Sequence, residues 1–281
     1  MRSATAVSRS AASALGEVTP PGMAKVPGGT FRMGTDDEGE LDERPAHDVV
    51  VSSFWLDVTE VTNEDYEACV VGGVCGPPNR KIASSTHAGP DSDFSGPRQP
   101  VVGVRWDDAR TYCTSKGKRL PREAEFERAI RGSDGRRYPW GSDEPTPELT
   151  VFGRLLGHGG KTDDVGSHPK GRGPYGHDDL AGNVWEWMED AYDPLAYSRP
   201  SARTGTPGTC EEILEAQDTL RREGRQGFTG TNPIPRVCER VLRGGAFNYT
   251  KEGLRSSNRV HHPGSFRLVM SGFRCAKDAH D

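Results

Sequence analysis

Hydrophobic residues in this chain come in short bursts divided by long polar runs, and each burst carries its own periodicity. In KVPGGTFRMGT, Gly28 and Gly29 make a turn, and Phe31 and Met33 then alternate with polar neighbours, which predicts a short strand. The run from Val49 to Val58, VVVSSFWLDV, is dense in β-branched and aromatic residues and predicts the strongest strand of the chain. Thr62 then caps a helix from Asn63 toward Cys69, with Asp65 three residues on as an acidic variant of the capping box. Pro100 to Trp106 reads as a further strand. Asp107 caps DARTYCTSKG, where Ala109, Tyr112 and Cys113 fall at i, i+3 and i+4 and Gly117 supplies the stop. In LPREAEFERAIRG, Pro121 takes the first helical position, Glu123 and Glu125 complement the positive dipole end, and Gly132 ends the helix.

Regular periodicity then fades until Val184. YPWGSDEP, VGSHPKGRGPYG and DDLAGNVWEW interleave turn residues with Trp, which predicts a core assembled by loops. Gly76 to Gln99 reads as a long surface loop. Residues 194–240 form a polar insertion with one helical candidate, EEILEAQDTLRRE. RVLRGGAF reads as a strand entering a double-Gly turn, and GFRCAKD as a last short strand. Residues 1–22 read as a disordered leader, and residues 23–281 as one domain without internal repeats.

Composition narrows the class. Gly 35 and Pro 21 make about a fifth of the 281 residues, too many for a helical bundle or coiled coil, while five Trp, nine Phe and seven Tyr supply bulky core material. A net charge of -5 gives no reason to bind nucleic acid, and no apolar run approaches the roughly 18 residues of a membrane span. The Ser/Ala-rich start lacks the apolar stretch of a secretory signal. Six cysteines without a C-x-x-C argue against a zinc ribbon. Cys69 and Cys75 bracket a Gly-rich turn and Cys210 and Cys238 bracket the polar insertion, so each pair would close a local loop, leaving Cys113 to Cys275; buried thiols are the alternative. Three disulfides would suit an oxidising, extracytoplasmic compartment.

The order of blocks VPGGTFRMG, FWLDVTEVTNEDY, PVVGVRWDDARTYCTSKGKRLPREAEFERAIRG, YPWG, GPYGHDDLAGNVWEW, RVLRGGAF and GFRCA resembles the formylglycine-generating enzyme family, also called the sulfatase-modifying-factor family, over about residues 23–279. The resemblance implies an α+β fold, a loop-rich variant of the C-type lectin fold with small sheets and two flanking helices. In members that oxidise a sulfatase cysteine to formylglycine, a C-terminal cysteine pair binds copper(I), a soft ion suited to thiolates. Placing RSSNR on the family's Arg-Cys-x-x-Arg pattern puts Lys251 and Ser256 at those positions, so no copper is expected, and Cys275 in GFRC matches the family's disulfide partner of Cys113.

The resemblance also implies structural calcium held by the carboxylates of Asp179 and Glu186 and the backbone carbonyls of Gly182 and Val184, a hard-oxygen shell. His261 and His262 are adjacent and would point to opposite faces of a strand, a poor chelate, and no transition-metal site is expected. Recognition is placed on Asn248, Tyr249, Lys251, Arg255, Ser256, Asn258, Arg259, His261, His262, Phe266 and Arg267, since aromatics and arginine commonly anchor binding surfaces. For the arginines, pairing with buried acids is an equal alternative. A similar layout occurs in lectin-fold variable proteins diversified by retroelements, which are binders. The expected function is therefore a catalytically reduced, lectin-fold module for a peptide, protein or glycan ligand. The alternative is a noncanonical metal-dependent oxidoreductase of the same family acting on a protein or peptide.

Overall fold

A computed structural model describes residues 18–80, 92–156, 158–205, 208–224 and 236–279. Positions 1–17 of the expected leader and 81–91 of the expected surface loop lie outside them, as do parts of the 194–240 insertion. Three small sheets carry the molecule. The first orders β1 (Met23–Val26), β4 (Phe54–Asp57) and β9 (Ala276–Asp278), all antiparallel, so the two ends of the domain meet on one strand. The second is the hairpin of β2 (Gly29–Met33) and β3 (His47–Val51). The third runs β7 (Val260–Pro263), β6 (Glu239–Arg243), β5 (Trp185–Ala191) and β8 (Ser271–Gly272), with only β8 parallel to its neighbour.

The single strand expected over 49–58 is two. Ser52 and Ser53 break the run, Ser53 Oγ accepting from the Gly28 amide at 3.0 Å, and this step carries the chain from the hairpin into the first sheet. The strand expected from Pro100 to Trp106 does not form. Pro100 makes only an isolated bridge to Thr62, and Gly103, at φ 72°, bends the run where a Cβ would strike the Asn79 carbonyl; Val101, Val102 and Val104 are nevertheless fully buried.

Helices sit close to where caps and stops put them. α1 spans Asn63–Val71, with Thr62 Oγ1 accepting from the Asp65 amide at 3.1 Å. α2 spans Trp106–Ser115 and is capped two residues earlier than expected, at Arg105, whose amide donates to Asp108 at 3.1 Å. α3 spans Glu123–Arg131; Pro121 stands ahead of it, and Arg122 is the cap, its amide donating to Glu125 at 2.8 Å. The insertion's helical candidate is α4, Cys210–Arg222, with a capping box between Thr209 and Glu212.

The core is aromatic and divided. Tyr66, Trp106, Tyr112, Trp185, Trp187 and Phe273 pack between α1, α2 and the third sheet. A second cluster sets Phe126 of α3 against Phe54, Leu56, Met188 and Tyr192. Trp185 and Trp187, on the loop-to-strand stretch NVWEW, are both almost wholly buried and anchor the junction.

Candidate functional site

The segment from Asn248 to Arg267 leaves β6 through Gly244 and Gly245, passes one helical turn at Lys251–Leu254, and returns as β7. Arg255 and Arg259 point inward. Arg255 pairs with Glu43, Nη2 to Oε1 at 2.8 Å, and the same carboxylate accepts from Ser257 Oγ at 2.8 Å and Asn258 Nδ2 at 3.1 Å. Burial would raise the Glu43 carboxyl, but the Arg255 guanidinium and these donors outweigh it and hold it below the usual value. Arg259 grips Glu123 through Nε at 2.6 Å and Nη2 at 2.9 Å, and Arg243 reaches Glu123 at 3.0 Å and also Glu127. Burial opposes ionisation of Glu123 as well, and the two guanidiniums keep its carboxyl low.

Ser256 is also inside, its hydroxyl donating to the carbonyls of Arg136 at 3.1 Å and Arg137 at 2.8 Å. Lys251 is on the surface, Nζ 2.7 Å from Glu144, which lies 3.6 Å from Arg137; Arg137 in turn meets Glu38 at 2.9 Å. The structure therefore does not bring Lys251 and Ser256 into one open cleft. Tyr249 is half-buried, edge-on to Trp185 at 5.1 Å, and Asn248 is half-buried beside it.

The remaining expected residues spread along the outer edge of the third sheet. His261 bonds Glu239 and stacks on Tyr192 at 3.8 Å, while His262 lies against Phe266 at 5.7 Å, so the two imidazoles serve different surroundings. Phe266 is exposed, and Arg267 approaches Asp108 at 3.3 Å. The sequence-predicted set thus divides into an inward group, Arg255, Ser256 and Arg259, and an outward group that includes Lys251 and Phe266.

Around DDLAGNVWEW, Asp179 and Asn183 adopt left-handed backbone at φ 56° and 59°, and Gly182, at φ 88°, leaves no room for a Cβ beside Thr150. Asp179 accepts from the Gly166 amide at 2.6 Å. Glu186 is fully buried and bidentate to Arg274, Nε to Oε2 at 2.8 Å. Glu60, also buried, accepts from Asn183 Nδ2 at 3.2 Å, and its Oε2 has no partner. Burial raises the carboxyls of Glu60, Asp179 and Glu186, and Arg274 opposes the rise in each. Sequence reasoning missed Glu60 and Arg274 here and Glu43 and Glu123 above; these partners lie up to 217 positions from the residues they touch, and no local signal marks them.

All six cysteines are paired, Cys69–Cys75, Cys113–Cys275 and Cys210–Cys238. A family description, the sulfatase-modifying factor enzyme 1-like domain, matches residues 9–279. The chain belongs to the sulfatase-modifying-factor family. Among family relatives, formylglycine-generating enzyme of Streptomyces coelicolor is 32% identical, over 92% of this chain and 90% of that protein. Inactive C-alpha-formylglycine-generating enzyme 2 of Mus musculus is 34% identical over 64% and 72%. Serine/threonine-protein kinase pkn1 of Chlamydia pneumoniae is 35% identical over 91% of this chain but only 38% of its own length, so the chain spans little more than a third of that relative. Solved structures that share the fold include PvdO from Pseudomonas aeruginosa, TM-score 0.68 at 24% identity, covering 92% and 94% of the two chains, and Treponema denticola variable protein 1, TM-score 0.61 at 21%, covering 91% and 94%. The α+β, lectin-like variant of the formylglycine-generating fold that the sequence implies is the fold of this sulfatase-modifying-factor member. No helix among the described residues is long and apolar enough to cross a membrane, and the three disulfides accord with an oxidising compartment.

Proposed function

We propose that this family member is a binding module that takes a peptide, protein or glycan on the outward residues of the segment from Asn248 to Arg267, Lys251 and Phe266 among them, without copper chemistry. One observation carries the reading: every cysteine is consumed in a disulfide, so no thiolate pair is left for a soft metal. Where the family resemblance calls for those thiolates, Lys251 is an ammonium in a surface ion pair and the Ser256 hydroxyl is committed to two carbonyls. The likeness to an inactive relative supports it. Copper(I) titration with oxygen uptake on a cysteine-containing sulfatase peptide tests the loss of catalysis; no uptake is expected, and stoichiometric copper with turnover defeats the reading. Peptide and glycan arrays test the binding face: signals retained by the protein disappear with Lys251→Glu, and signals indifferent to that reversal place recognition elsewhere.

A second reading, a metal-dependent oxidoreductase on a protein or peptide substrate, draws support from the 32% identity to a formylglycine-generating enzyme over nearly the whole chain. Metal analysis of the purified protein separates the two, since iron or copper at unit occupancy favours the enzyme and calcium alone the binder.

The proposal includes structural calcium at Asp179, Gly182, Val184 and Glu186. Among the described residues no three acid, His or Cys side chains already form a metal shell, so backbone carbonyls would complete one. The chemistry fits in charge: three buried carboxyl groups, Glu60, Asp179 and Glu186, lie within the influence of one guanidinium, Arg274, and Glu60 Oε2 is unpartnered, while Glu186 would share with the ion the oxygens that Arg274 holds. When bound, calcium supplies the positive charge that this group lacks.

A further inference from the structure

A cavity of about 630 Å³ lies between the start of α3, the end of β5 and the insertion's residues 196–205 and 208–213. That size suits a small ligand. Its acids differ sharply in how they are matched. Glu123 is held by Arg243 and Arg259, and Asp193 by Arg199. Glu212 is exposed at the rim and caps α4 through the Thr209 amide at 2.9 Å. Asp190 alone among these four is buried without a cation: it is 7% exposed, its Oδ2 accepts from the Glu123 amide at 2.8 Å, and no described group donates to Oδ1. Ionised, a carboxyl group lining a cavity with one oxygen free and no guanidinium or ammonium of its own is costly, so it either keeps its proton or takes its counter-charge from a bound cation. The rest of the wall includes Met33, Ala124, Ala191 and Ile213, which offer carbon surface.

We propose that this cavity binds a small organic cation, an alkylammonium or an amine of similar size, whose nitrogen pairs with Asp190 while its carbon chain lies on Met33, Ala191 and Ile213. The site is separate from the Lys251 face, so it stands or falls independently of that reading. Burial, with the Glu123 charge beside it, pushes the Asp190 carboxyl up to about 8; Glu125 of α3 adds to this and Arg259 opposes it. His47 of β3, Asp193, Tyr197, Arg199 and Glu212 are the other charged or titratable groups on the wall. At pH 7 the empty cavity's Asp190 is therefore largely protonated, and an arriving ammonium displaces that proton to solvent.

Calorimetric titration of the whole chain at pH 7 with n-hexylammonium and with n-hexanol, each in two buffers of different ionisation enthalpy, tests this. The ammonium is expected to bind at least about tenfold more tightly than the alcohol, the scale of one charge-assisted hydrogen bond, and to release a proton to the buffer. Asp190→Asn erases the preference. Ala202→Phe, which fills the cavity from the insertion's side, prevents binding of both probes. Equal affinity for the two probes, no binding of either, or an unaltered ammonium preference in Asp190→Asn overturns the proposal. Should Asp190→Asn fail to fold, the alcohol comparison and Ala202→Phe decide it.

Discussion

Glu43→Ala should destabilise this protein far more than its short host turn suggests. The Glu43 carboxylate is completely buried and receives donors from Arg255, Ser257, Asn258 and the Glu40 amide, so its removal strands a guanidinium that is 7% exposed. Removing one partner of a buried pair costs about 3–5 kcal/mol, a large part of a domain stability of about 5–15 kcal/mol. Arg255→Met should cost a similar amount by stranding the carboxylate. The double variant Glu43→Met/Arg255→Met removes both charges together and should be better than the sum of the singles by about 2–3 kcal/mol. Urea unfolding reads each value as a lower midpoint at unchanged slope. Acid adds a second readout. The folded Glu43 carboxyl lies below its ordinary 4.5, so its contribution is full above about pH 4.5 and is lost as pH falls through the folded value; Glu43→Gln lacks that slope. Single variants that cost under about 1 kcal/mol, or a double variant equal to their sum, refute the reasoning.

Three further outcomes follow from the same geometry. Opening Cys113–Cys275, a sequence separation of 162, frees about 5 kcal/mol of unfolded-chain entropy against about 2 kcal/mol for Cys69–Cys75, whose separation is 6, so Cys113→Ser/Cys275→Ser should lower Tm much more than Cys69→Ser/Cys75→Ser in parallel calorimetric scans. Lys251→Ala breaks a solvent-screened ion pair with both partners about half exposed and should leave the urea midpoint nearly unchanged, so any loss of array signal in that variant reports recognition and not folding. Chelation with EDTA should lower Tm and added calcium restore it, with Asp179→Asn insensitive to both; a Tm indifferent to EDTA removes calcium from this loop.

Helices were the legible part of the sequence because a cap, a stop and a periodicity are all local. Thr62, Gly117 and Gly132 bracket α1 to α3 within a residue or two, and only the starts of α2 and α3 moved, since Arg105 and Arg122 cap through the acids that follow them. Strands were harder. Only Ser52 and Ser53 interrupt the apolar run from Val49 to Leu56, but the two halves serve different sheets, and only the partners reveal that. The arginines of LRSSNR carry the same letter whether they meet solvent or a carboxylate 212 positions away, so polarity alone could not divide Arg255 from Lys251. The cavity beside Asp190 was invisible for a similar reason: its walls come from β2, α3, β5 and the insertion, which meet only after folding.

The inward and outward residues of the C-terminal segment are interleaved on one short stretch of backbone, with Lys251 outside, Arg255 and Ser256 inside, Arg259 inside and Phe266 outside. Framework and display are thereby separable position by position. Substitutions at the outward positions leave the charged rivets beneath untouched, so this stretch can change its surface without relearning how to fold.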